Sequence, residues 1–120
     1  MSTKVYKTMR AKYTTVSEVL ASALEKFGPK GERWIKFHER RVDDDGAKYC
    51  MLGALKATTR GALLEPAIDM LTRACGKNGY YGIPAYNDSH AHGFPAIKKV
   101  MCEAINTAVQ DEQKESESTS

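Results

Sequence analysis

Apolar positions recur at helical spacing in three stretches of this chain and alternate with polar ones in a fourth. Val16, Val19, Leu20, Ala23, Leu24 and Phe27 fall on one stripe of a helix. Thr15 and Glu18 precede it as a capping box, in which hydroxyl and carboxylate each satisfy an orphan backbone N–H. Gly28 and Pro29 should stop it. Leu64, Ala67, Ile68, Leu71 and Cys75 form a second stripe over residues 62–75. Pro66 sits there in the first turn, where a missing N–H does little harm, and Gly76 closes it. Ile97, Val100, Met101, Ala104, Ile105 and Ala108 form the third, from Pro95 to about Gln110.

The alternating stretch is Arg33, Ile35 and Phe37 against Trp34, Lys36 and His38, the period of a strand. Asp43-Asp44-Asp45-Gly46 is a turn signal, and Ala47 to Tyr49 returns as a second strand. Cys50-Met51-Leu52-Gly53-Ala54-Leu55 then opens a short helix to about Thr59. A glycine inside a helix costs about 1 kcal/mol relative to alanine, so Gly53 implies a close backbone approach. The fold class expected is α+β: about four helices packed on one antiparallel hairpin. Its core should hold Val19, Leu20, Leu24, Ile35, Leu52, Leu55, Ile68, Leu71, Val100, Met101 and Ile105, with Trp34 half-buried. Residues 15–110 form the one globular domain in this reading. Residues 1–14 are a basic arm carrying Lys4, Lys7, Arg10 and Lys12, and residues 111–120 an acidic tail with the composition of disorder.

Composition narrows the classes. An apolar fraction of 42% and a charged fraction of 28% belong to ordinary soluble proteins. No apolar run approaches the roughly 18 residues of a membrane span, so no membrane partner is expected. The N-terminus has no apolar stretch after its basic residues and is not read as a secretory signal. Cys50, Cys75 and Cys102 are odd in number and lie in apolar contexts, which fits a reducing cytoplasm. A net charge of +3 does not by itself call for nucleic acid.

Cys50-x-x-Gly53-Ala54-Leu55, followed some thirty residues later by Ile83-x-x-Tyr86-Asn87-Asp88 and a closing helix, resembles a family of small domains of unknown function. That family is met in bacteria, notably actinobacteria, and in bacteriophages. The likeness covers roughly residues 15–110, with Tyr86 where the family usually has Trp. The resemblance implies a bacterial or phage cytoplasmic origin and no particular activity.

Several constellations are candidates for chemistry. Cys50, near a helix N-terminus whose dipole lowers a thiol pKa, is placed to act as a nucleophile with His90 or His92 as base and Asn87 or Asp88 as orienter. The bland reading, a buried structural cysteine, is preferred because the run around it is apolar. His90 and His92 with Asp88 and His38 offer metal ligands but match no closed zinc spacing, and no cofactor is expected. Asp43 to Asp45 lack the alternation of a calcium loop. Lys36, Arg40, Arg41 and Lys48 give a basic hairpin face, with Trp34 or His38 interleaved. The carboxylates at the turn would repel phosphate, so nucleic acid is an unfavoured partner.

Residues 76–94 are a long connection with three tyrosines, and such loops are usually functional. Trp34, Tyr80, Tyr81, Tyr86, Asn87, Asp88 and His90 are its candidate binding residues. Asn87 and Asp88 serve equally as turn-fixing side chains, with Ile83 and Tyr86 as apolar anchors. The function expected is a non-catalytic cytoplasmic binding protein, phage-encoded as the resemblance implies, that engages a host protein or a small ligand through this loop and the hairpin. The alternatives are a cysteine-dependent enzyme using Cys50 with His90, and a weak nucleic-acid-binding module.

Overall fold

The computed structural model describes residues 13–119. The basic arm therefore lies almost wholly outside the described residues. The chain order is α1 (Val16–Glu25), β1 (Arg40–Asp43), β2 (Gly46–Tyr49), α2 (Met51–Thr58), α3 (Leu64–Lys77), α4 (Ile83–Asn87) and α5 (Phe94–Thr119). This is a mainly helical α+β fold on one two-stranded antiparallel sheet. Helix α1 packs chiefly on α5 and α2, and α3 on α5.

The capping box forms: Thr15 Oγ1 accepts from the Glu18 N–H at 3.2 Å, and Glu18 returns the bond to the Thr15 N–H. Backbone and hydroxyl donors of Thr14, with that of Thr15, hold the Glu18 carboxyl below its usual range. The core runs through Val19, Leu20, Phe27, Met51, Leu55, Leu71, Ile97, Val100 and Met101. Leu24, Leu52, Ile68 and Ile105 pack against it half-covered. Ile35, expected among the core residues, is only half-buried.

The hairpin turn stands where the Asp-Gly signal put it, but the first strand does not. Residues 33–38 carry the alternation, yet β1 is Arg40–Asp43, paired from Arg40↔Tyr49 to Asp43↔Gly46. Residues 33–35 instead lie parallel along the other edge of Tyr49, with Ile35 N–H donating to the Tyr49 carbonyl at 2.9 Å. The backbone then crosses from one edge of β2 to the other within residues 36–39. Asp43 keeps to the turn, accepting from the Asp45 N–H at 2.9 Å and pairing with Lys48 at 3.1 Å, which lowers its pKa.

Two helix ends also move. Helix α3 passes through Gly76 and ends at Lys77, because the left-handed residue that stops it is Gly79, at φ 89°, after which the Tyr80 N–H bonds back to the Cys75 carbonyl at 3.1 Å. Helix α5 continues to Thr119 although composition would end it near Gln110. Glu112 explains part of that extension: its carboxylate accepts from the Ser17 hydroxyl at 2.6 Å and the Ser17 N–H at 3.1 Å. The acidic segment thus supplies the partner for an otherwise orphaned N–H of α1.

Gly53 shows why it stands inside a helix. A Cβ there would collide with the Glu39 carbonyl oxygen, which itself accepts from the Cys50 N–H at 3.2 Å. The crossing segment is pressed onto the first turn of α2. Gly53→Ala should therefore destabilise by about 3 kcal/mol despite its better helix propensity, as overpacking against rigid backbone does. Urea unfolding of the variant checks this, and a gain in stability would mean that the contact is loose.

A buried amide and the candidate functional site

Asn87 is fully buried at the end of α4 and uses all of its hydrogen-bonding capacity. Its Oδ1 accepts from the Trp34 indole Nε1–H at 2.8 Å and from the Met51 backbone N–H at 3.0 Å. Its Nδ2 donates to the Ile35 carbonyl at 3.0 Å and to Asp88 Oδ1 at 2.9 Å. Two donors face the oxygen and two acceptors face the nitrogen, so the amide has one sensible orientation. Asp88 Oδ1 also accepts from the Phe37 N–H at 2.8 Å, and Lys36 Nζ donates to the Ser89 carbonyl at 2.8 Å. The whole 34–37 segment is thereby strapped to α4 and to the start of α2.

The neighbouring aromatic residues complete the clasp. Tyr86 is buried, and its hydroxyl donates to the Ala96 carbonyl at 3.1 Å. His92 lies over the Tyr86 ring at 4.0 Å between centroids, and Tyr80 meets both rings. His92 Nδ1 is 2.7 Å from the Tyr86 carbonyl oxygen, which can only accept, so the proton resides on Nδ1. Burial pushes the Tyr86 hydroxyl above its usual range.

Cys50 is the N-cap of α2, its Sγ accepting from the Gly53 N–H at 3.3 Å. The thiol does the work usually given to a serine or aspartate oxygen. Burial pushes its pKa up, the Gly53 and Leu52 N–H groups only partly offset this, and Glu39 and Asp88 raise it further. The direction is opposite to the dipole-lowered value that a nucleophile at a helix start would have. Cys75 is likewise buried, its thiol raised to about 12.

The structure thus separates the sequence candidates. Trp34, Tyr80, Tyr86, Asn87 and Asp88 converge, but on one another: their polar atoms are engaged inside the fold. Tyr81 and His90 point to solvent. Among the described residues no three His, Cys, Asp or Glu side chains gather as metal ligands. Of the four hairpin cations, Lys36 is spent on Ser89 and Trp34, and Lys48 on Asp43; Arg40 and Arg41 are exposed.

Sequence reasoning passed over Phe37. Among the described residues it is the one non-glycine with positive φ, at 72°, and the residue is 67% exposed. No local sequence signal marks it, because the constraint comes from the crossing between the two edges of β2. A groove of about 540 Å³ lies next to the same segment, lined by Glu39, Arg40, Tyr49, Lys56 and Arg60 among others. Lys56 pairs with Glu39 at 3.0 Å, leaving Arg40 and Arg60 as the exposed cations of its rim.

These features define a small α+β domain whose two sequence motifs are structural: one caps α2, the other builds the buried amide knot. The family of unknown function DUF6197 matches residues 11–107, and the chain belongs to that family. Neither a curated protein nor a solved structure is found to be similar to it.

Asn87→Asp should lower stability by about 3 kcal/mol, since a carboxylate would face both the Ile35 carbonyl and Asp88. Thermal unfolding against the unaltered chain measures it. Alkylation by iodoacetamide with peptide mapping should label half-exposed Cys102 first. Cys50 should react about tenfold more slowly at neutral pH, and its rate should still climb above pH 9, because a raised pKa leaves little thiolate below that. Rapid labelling of Cys50 at pH 7 would restore the nucleophile reading.

Proposed function

We propose that this chain is a non-catalytic binding protein of the bacterial or phage-infected cytoplasm, engaging a protein partner through the face formed by residues 36–42. One observation carries the reading: Phe37 is held in a left-handed conformation with its ring turned to solvent. That conformation costs a bulky residue about 1–2 kcal/mol, which glycine would avoid. A buried ring would offset the strain by its own packing, but this ring is open. Strained residues of this kind cluster where a surface meets a ligand or partner.

The surroundings suggest what the partner offers. Val42 is exposed beside Arg40 and Arg41, and the groove rim adds Arg60. A partner with an apolar recess for the ring and carboxylates around it would complement this face. The loop of residues 76–94, expected to be the contact surface itself, contributes in this reading by fixing the backbone of residues 34–37. The cytoplasmic setting is supported by the unpaired cysteines and the phage or bacterial origin by the family resemblance at the two motifs. A raised thiol at Cys50 counts against the cysteine-enzyme alternative.

The test compares stability with capture. Phe37→Gly should raise stability by about 0.5–1 kcal/mol, relief of the left-handed strain exceeding the added chain entropy. Phe37→Ala should leave stability nearly unchanged. Both should lose a partner that the unaltered chain holds in a quantitative pull-down from bacterial lysate, whereas Tyr81→Ala should keep it. Equal capture by the Phe37 variants would end the proposal, as would a loss of stability in Phe37→Gly.

A further inference from the structure

Strand β1 is bonded on one side and open on the other. The Glu39 carbonyl accepts from the Cys50 N–H, so the ladder to β2 continues one residue upstream of Arg40. Backbone groups along an antiparallel ladder turn alternately to its two sides. Arg41 and Asp43 therefore face β2, opposite Lys48 and Gly46, while Arg40 and Val42 turn their N–H and C=O groups outward. The same alternation holds on β2, where Tyr49, opposite Arg40, sends its own groups outward to Arg33 and Ile35. The outer edge of β1 has no such cover among the described residues, and Arg40, Arg41 and Val42 are all exposed.

An open edge is a template for another chain, and proteins commonly guard it with charge. Guarding charges of one sign repel a second copy. Here both signs occur, in mirrored order: Arg40 and Arg41, then Val42, then Asp43 and Asp44. Laid antiparallel on itself about Val42, the stretch sets Arg41 opposite Asp43 and Arg40 opposite Asp44 at both ends, each a favourable cross-strand pair. Val42 then meets Val42 of the second copy and exchanges both backbone bonds, using the groups it already turns outward. The neighbouring registers that keep outward groups opposite one another put Arg41 against Arg41 or Asp43 against Asp43. A parallel pairing in register sets every charge against its like. We infer that the partner for this edge is a second copy of the chain, in a two-fold dimer whose four-stranded sheet runs across the Val42 pair. Such a pair uses each edge once and closes at two copies. The contact goes beyond the reading above and does not depend on it, since Phe37 lies outside the paired residues.

So short an edge buries far less than a permanent dimer does, and the association should be weak. Sedimentation of the purified full chain tests it from about 10 μM to about 1 mM, where such a contact is populated. A monomer–dimer equilibrium is expected, weakening about tenfold between about 20 mM and about 500 mM NaCl as screening shortens. Val42→Pro removes the outward N–H, which no group of its own sheet accepts, so it should stay monomeric with thermal unfolding nearly unchanged. Arg40→Asp and Asp44→Arg alter exposed side chains and set like charges opposite one another, so each alone should weaken the dimer by about tenfold. Mixed in equal amounts they should recover the unaltered affinity, because each reversed charge on one variant meets an opposite charge on the other. Phe37→Ala should dimerise as the unaltered chain does, which separates this outcome from capture of a different protein. Monomer at every concentration would overturn the proposal, as would dimer in Val42→Pro or a mixture no tighter than either variant alone. Loss of the dimer in Phe37→Ala would move the contact to the ring and overturn it too.

Discussion

One buried amide holds this fold's irregular half in place. The helices pack by apolar stripes and need no special device. The segment between α1 and β1 has neither a stripe nor a full strand, and its backbone groups must still find partners. Asn87 answers for Trp34, Ile35 and Met51 together, and Asp88 for Phe37. A buried amide with all four bonds made is worth little more than its replacement, but any member removed leaves several groups unpaired. The knot therefore acts as a specification of shape more than as a reservoir of stability.

The same economy governs the start of α2. Cys50 caps the helix with sulfur, and Gly53 gives up its side chain so that the Glu39 carbonyl can sit against the first turn. What a motif search reads as Cys-x-x-Gly is a joint between a helix and a crossing strand of backbone. Its chemistry is hydrogen bonding and clearance, and burial keeps the thiol protonated. A reactive-looking residue and a structural one thus share the same three-letter spacing, and only the surroundings distinguish them.

How much of this could be seen beforehand differs by element. The capping box and the stripe from Val16 to Phe27 were legible because helix periodicity is local. The turn at Asp43 to Gly46 was legible too, and it already held the answer to the misplaced strand. A two-residue turn opposite Ala47 to Tyr49 obliges residues 40–42 to be the partners, so the alternation of residues 33–38 had no register left to occupy. Ile83 and Tyr86 could be read as anchors from their apolar character. The reach of Asn87 to residues 52 and 53 positions earlier could not, because turn chemistry suggests only neighbouring partners. Phe37 was invisible for the same reason: its backbone is set by the two edges of β2, which no local window contains. The helical path beyond Gln110 hid behind a composition that favours solvent, since its reason is a hydroxyl 95 positions away.

That last contact bears on how the chain becomes a protein. Ser17, at the start of the first helix, is satisfied by Glu112 near the end of the last, and α1 lays its apolar stripe chiefly on α5 and α2. Contacts of such sequence separation come late and slow the search for the native state. The packing of α1 on α2 joins neighbours in the chain, whereas its packing on α5 closes a loop of about seventy residues. The two halves of its stripe therefore differ in the entropy that their contacts must overcome.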